Sequence, residues 1–196
     1  MGATCVFGGS FDPPHWGHKA MVERVLSDCP VLRVLLAPLY VPWHKREPVA
    51  SFSDRVRMLE LTFSKDPRVE ISRVDERLGG VTYTYKTLEE LSRRECRGED
   101  LYFLMGADSL EYFQEWTRWR EILKMARPIV FARSGHSLNP PRDNTFLIVR
   151  DFDSPWSSSI IRRELQERGS SDGLLPSVLE YIKKRRLYGQ RPKGED

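Results

Sequence analysis

Residues 3–38 constrain the fold more than any other stretch of this chain. A short apolar run, ATCVF (3–7), meets a glycine-rich turn. WGHKAMVERVLSD (16–28) then carries apolar side chains at Ala20, Met21, Val25 and Leu26, a helical period. VLRVLLAP follows as a second strand, closed by Pro38. Strand, glycine turn, helix and strand in this order form a parallel unit with a right-handed crossover.

The rest of the chain repeats the alternation. A long loop, LYVPWHKREPVAS, precedes a helix expected to start after Ser53 and to run through RVRMLELTF. RVEIS reads as a short strand, TYKTLEELSRRE as a helix and DLYFLMG as a strand ending at Gly106. WREILKMA is helical, RPIVFAR and NTFLIVR are strands, and the helices SSIIRRELQERG and PSVLEYIKKRR finish the chain. The expected fold is α/β: a doubly wound, Rossmann-like parallel sheet in a single domain with a small C-terminal helical part. That domain spans residues 1–190, with 191–196 as a flexible tail.

Composition narrows the setting. At 196 residues the chain can bury about 70% of the surface it exposes when unfolded. A net charge of +3 is too mild to call for a nucleic-acid partner. The three cysteines lack zinc spacing and read as free thiols in a reducing compartment. No apolar stretch approaches the roughly 20 residues of a membrane span, so a cytoplasmic protein without membrane contact is expected. Monomer and homo-oligomer both remain open.

In a doubly wound sheet, ligands sit at the carboxyl ends of the strands, where the turn GGSFDPPHWGH (8–18) lies. Gly8 and Gly9 let backbone N–H groups approach an anion, and the helix behind them offers free N–H groups and its positive dipole end. His15 and His18 lie three apart, share a face and can donate to phosphate oxygens, charged when needed. Gly17 between them leaves room for a ligand. The plainer alternatives are a capped helix and two turn glycines, or a metal site completed by Asp12 or His44. GxxxxGK[ST] and GxGxxG are both absent from this turn, which disfavours P-loop kinases and dinucleotide dehydrogenases.

A second anion site is suggested by WSSSIIRREL (156–165), where Ser158 and Ser159 precede an apolar period and Arg162 can fork onto phosphate one turn later. The serines alone would be helix caps, and Arg163 a solvated neighbour. Asp108, just beyond Gly106, either accepts from ribose hydroxyls or caps a helix. Trp116 and Trp119 are three apart, so one can face the core and the other can stack on a planar ring. Lys45 and His44 occupy the long loop at the ligand edge, where a lysine is otherwise merely solvated.

These motifs resemble a known family. HxGH is similar to the signature of the nucleotidyltransferase superfamily, and GGSFDPPHWGH to that of its adenylyltransferases. WSSSIIR resembles the second signature, ISSTxIR, with Trp156 and Ser159 as departures. GADSL, WTRWREI and TYTYKTLEEL resemble stretches of the bacterial nicotinate mononucleotide adenylyltransferases, as does the ending LLPSVLEYIKKRRLYG. Lys86 stands where that family usually has Asp, and Trp43 departs from the pattern before HK.

The resemblance implies adenylyl transfer from ATP to nicotinate mononucleotide, giving the dinucleotide and pyrophosphate, with Mg²⁺ entering on the phosphates rather than in a protein cage. It implies that His15, His18, Lys45 and Arg162 are catalytic. ATP would meet the Gly8–Phe11 turn (Gly8, Gly9, Ser10, Phe11), Gly106, Asp108, Arg133, Ser158 and Ser159, besides both histidines and Arg162. The mononucleotide would meet Ser10, Phe11 and Lys45, with Trp116 stacked on the pyridine ring and Thr84 and Thr117 holding its carboxylate. Two rival readings share part of this pattern: an adenylyltransferase acting on phosphopantetheine, and a non-catalytic nucleotide sensor docking through the basic KKRR segment. That segment otherwise reads as a solvated helix face.

Overall fold

The computed structural model describes residues 2–41, 48–132, 138–141 and 146–189. Its centre is a parallel sheet of six strands: β1 (Ala3–Gly9), β2 (Arg33–Pro38), β3 (Val69–Ile71), β4 (Asp100–Gly106), β5 (Arg127–Phe131) and β6 (Leu147–Val149), in the order β3-β2-β1-β4-β5-β6. The order reverses between β1 and β4, the kind of switch point at which successive connections in such a sheet part to opposite sides and leave a crevice. β1 outlasts its apolar run because Gly8 and Gly9 still pair with Ala37 and Pro38. The strand thereby carries the glycine turn up to the sheet edge.

Two helical layers cover the sheet. On one face α1 (Trp16–Asp28) and α2 (Phe52–Phe63) pack on Cys5, Phe7, Val34, Leu36, Tyr102 and Leu104. The opposite face takes Val6, Leu35, Leu101, Phe103 and Met105 against α4 (Thr84–Arg94) and α6 (Trp119–Met125). Successive strand residues thus alternate between two dry layers, as expected for a sheet covered on both sides. The centre of the α1 stripe is Val22 and Val25, fully buried, with Ala20, Met21 and Leu26 at its margins. Each such valine contributes about 1.5–3 kcal/mol. A third cluster joins α2 to α7 (Ser158–Arg168) and α8 (Pro176–Arg185) through Met58, Ile161, Leu165, Val178, Ile182 and Tyr188.

Boundaries differ from the sequence expectations where a cap decides them. The second helix begins at Phe52 because the Ser51 hydroxyl accepts the Asp54 N–H at 3.1 Å. Two short helices, α3 (Val74–Leu78) and α5 (Ala107–Glu111), and a 3₁₀ turn at Phe113–Glu115 have no counterpart in the sequence reading. No helix among the described residues is long and apolar enough to cross a membrane.

Candidate active site

A cleft of about 1510 Å³ opens where the strand order reverses. It brings together thirteen of the sixteen residues named from the sequence: Gly8, Gly9, Ser10, Phe11, His15 and His18 from the first turn, Thr84, Gly106, Asp108 and Trp116 opposite, and Ser158, Ser159 and Arg162 from α7. Thr117 lines a small separate dent beside Tyr83, Thr84 and Trp116. Lys45 and Arg133, with Trp43 and His44, lie outside the described residues.

The histidines form a stacked pair. Their ring centroids are 3.7 Å apart with planes tilted 33°. His18 Nδ1 accepts the backbone N–H of His15 at 3.3 Å, so a neutral His18 ring carries its proton on Nε2. His15 is 6% exposed, and burial lowers its pKa to about 4. In the unliganded fold this ring is neutral and offers an N–H dipole. Its Nδ1 is buried without a hydrogen-bond partner among the described residues, an uncommon state for a buried nitrogen.

The glycines serve the protein's own packing as much as any ligand. A Cβ on Gly17 would come within 2.5 Å of Ser154 Oγ and 3.0 Å of the His15 ring. Gly17 therefore admits a serine and an imidazole, and it also lines the cleft where the sequence suggests room for a ligand. A Cβ on Gly9 would meet Phe11 Cζ at 3.1 Å, while Gly8 is open. Phe11, at φ 49°, turns its ring into the core beside Phe7 and His18. At 2% exposure, what it presents to the cleft is mostly backbone.

The N-terminus of α7 lies against the same turn. Ser157 is the cap, accepting Ile160 N–H at 3.3 Å. Ser158 Oγ donates to the Pro13 carbonyl at 2.9 Å, and Arg162 Nη1 donates to the Asp12 carbonyl at 2.6 Å. Two helix N-termini, α1 and α7, thus open onto one cleft, a built-in site for anions. The Asp12 carboxylate is committed inward: Val49 N–H reaches Oδ2 at 2.7 Å, while Ala50 N–H and the Tyr188 hydroxyl reach Oδ1 at 3.0 and 2.6 Å. Its oxygens serve the protein interior, which disfavours the metal-ligand alternative. Arg55, 1% exposed, donates to the Ser10 carbonyl at 2.8 Å. Burial lowers its pKa, with Asp12 opposing that trend.

At the other end, the Trp116 edge packs on Phe113 with centroids 5.4 Å apart while lining the cleft. Trp119 also packs on Phe113 but carries the Arg120 guanidinium over its ring and does not line the cleft. Beneath Thr84, the buried Asp75 accepts from Thr82 and Thr87 hydroxyls at 2.6 Å each. Burial raises the Asp75 pKa against these hydrogen bonds. Asp75, Asp12, Arg55 and Tyr188 escaped the sequence reading as site-shaping groups. For Arg55 the available signal was its helical spacing, which puts it on the same face as Met58, Leu59 and Thr62.

Residues 6–164 match the Cytidylyltransferase-like family. A Solibacter usitatus protein named as a probable nicotinate-nucleotide adenylyltransferase is 38% identical over 184 residues, 93% of this chain and 97% of its own. A Geobacillus thermodenitrificans protein of the same name is 35% identical over 100% of this chain and 90% of its own. The chain belongs to the nicotinate-nucleotide adenylyltransferase family.

Solved structures agree on the fold of this adenylyltransferase family member. Plasmodium falciparum nicotinic acid mononucleotide adenylyltransferase complexed with NaAD superposes with a TM-score of 0.80 at 17% identity, covering 96% of this chain and 98% of that one. The same enzyme complexed with APC gives 0.78 at 16% identity over the same shares. Lys86, the departure within the TYTYKTL segment, is exposed on the first turn of α4, while its neighbour Thr87 turns inward to Asp75.

Proposed function

We propose that this chain transfers the adenylyl group of ATP to nicotinate mononucleotide, forming nicotinate adenine dinucleotide and pyrophosphate in NAD biosynthesis. One observation carries the reading: two helix N-termini, a histidine pair and Arg162 meet in a cleft whose opposite wall carries Trp116 and Thr84. A triphosphate suits the first end and a planar ring the second. The names of the full-length relatives support the same chemistry.

The nucleophile is the mononucleotide's own phosphate oxygen, largely dianionic at pH 7 because a phosphomonoester's second pKa is about 6. It attacks the α-phosphorus of ATP. The bond from that phosphorus to the bridging oxygen breaks, and pyrophosphate leaves with the electron pair. No protein base is required, since no proton must leave the nucleophile. The residues instead position two anions and stabilise charge on the leaving group. His18, through Nε2–H, and the N–H groups of both helix starts meet the phosphates. Arg162 supplies permanent positive charge. Lys45 adds a second cation from the long loop, and Arg133 borders the adenine.

When bound on the nucleotide, Mg²⁺ would neutralise phosphate charge. Asp108 and Asp153, exposed carboxylates lining the cleft, are hard oxygen donors that fit the water shell of such an ion. Trp116 stacks on the pyridine ring, and Thr84 with the Thr117 backbone holds its carboxylate. Donors aimed at an anion favour the acid over the amide, whose own N–H groups would face them. The three thiols are unpaired, which supports a reducing compartment such as the cytoplasm.

The deciding experiment measures pyrophosphate release from ATP with nicotinate mononucleotide, nicotinamide mononucleotide or phosphopantetheine. Fastest release with the nicotinate form is expected. Release with phosphopantetheine alone, or with no acceptor at all, overturns the proposal.

A further inference from the structure

The buried polar cluster at the end of the chain has no part in the chemistry above. Tyr188 follows α8 in a left-handed turn, at φ 58°, after Arg186 at φ 54°. A bulky residue seldom adopts that conformation, so its neighbours must hold it there. Its ring is 5% exposed, within the cluster that joins α2, α7 and α8. Its hydroxyl crosses to the first turn and donates to Asp12 Oδ1 at 2.6 Å. Burial, and then the Asp12 carboxylate, push the phenol pKa up, so the hydroxyl remains a donor.

Arg162 stands on the far side of the same carboxylate. Its Nη1 is 2.6 Å from the Asp12 carbonyl oxygen but 3.9 Å from Oδ2. Among the described residues its other guanidinium nitrogens make no hydrogen bond, and the side chain lines the cleft. An arginine beside a buried carboxylate ordinarily forms a two-pronged pair with it. Here the carboxylate is already supplied by Val49 N–H, Ala50 N–H and Tyr188.

We infer that Tyr188 is a positioning residue for Arg162. By filling Asp12 Oδ1, its hydroxyl keeps the guanidinium on the backbone carbonyl and turned toward the ATP phosphates, instead of drawn into a paired fork with Asp12. The inference rests on the reading of Arg162 as a phosphate contact.

The test is a double-mutant cycle on ATP affinity, measured by calorimetry without the mononucleotide, for the wild type, Tyr188→Phe, Arg162→Ala and the pair. Tyr188→Phe should weaken ATP binding about tenfold, and add less than about twofold once Arg162 is gone. A merely structural tyrosine would weaken binding by the same factor in both backgrounds, and that result, or unchanged ATP affinity in Tyr188→Phe, overturns the inference. If Arg162→Ala itself leaves ATP affinity unchanged, the underlying assignment of Arg162 is what fails. Should the phenylalanine variant unfold, Tyr188→Met fills similar apolar space without a hydroxyl and completes the same cycle.

Discussion

The His15 and His18 rings lie with centroids 3.7 Å apart and planes tilted 33°, and the backbone N–H of the first donates to Nδ1 of the second. Two imidazolium ions could not share that spacing without strong repulsion, so at neutral pH the pair carries at most one charge. His18 is the member left with a defined Nε2–H donor. His18→Ala should lower kcat by about 10²- to 10³-fold, the usual effect of losing one preorganised donor. Circular dichroism should stay near wild type, with a melting temperature about a few degrees lower from the lost His15 N–H and Phe11 contacts. Near-normal turnover in pure, folded His18→Ala protein would remove the histidine from the mechanism.

Acid should act on stability through His15. Its pKa is 6.5 in a model peptide and about 4 in the fold. Between those values the unfolded chain binds the proton and the folded chain does not, so stability falls as pH drops from 6.5 toward 4. The full window corresponds to about 3 kcal/mol. Urea midpoints at pH 7 and pH 5 would register it. His15→Asn, uncharged at both, should flatten the slope, and an equal slope in both proteins would place the effect elsewhere.

Gly17→Ala should destabilise the protein by about 1–3 kcal/mol, as overpacked sites do. The new methyl would meet Ser154 Oγ at 2.5 Å. Adding Ser154→Gly should recover part of the loss in a thermal melt. An alanine variant as stable as wild type would mean that the Ser154 contact yields freely.

Trp116→Ala should separate the two substrates. Nicotinate mononucleotide affinity should fall about tenfold through lost ring contact, and ATP affinity by less than about twofold. Calorimetric titration of each ligand alone reads both numbers. Equal losses would contradict stacking on the pyridine ring.

Local signals were legible in the sequence where periodicity and punctuation coincide. The α1 boundaries, Trp16–Asp28, agree with the expected span because the helix has an apolar period behind a proline-bearing turn. The β4 span, Asp100–Gly106, agrees as well. Helices α3 and α5 span five residues each, too few turns for any period to emerge. Side-chain direction was harder still. Ser158 looked like a phosphate ligand from its place at a helix start, yet its hydroxyl also ties α7 to Pro13. Long-range pairs left no trace: Asp12 and Tyr188 are 176 positions apart. Asp75 likewise meets Thr82 and Thr87 only after the chain turns back on itself.

The ties between the first turn and the last two helices impose an order on biosynthesis. Trp16 N–H ends on the Gly173 carbonyl, Ser158 on Pro13 and Tyr188 on Asp12. Both histidines are made before α7 and α8, the helices that complete their surroundings. A polypeptide cut between α7 and α8 would therefore keep every earlier motif intact and still lose the tether that Tyr188 fastens to the first turn.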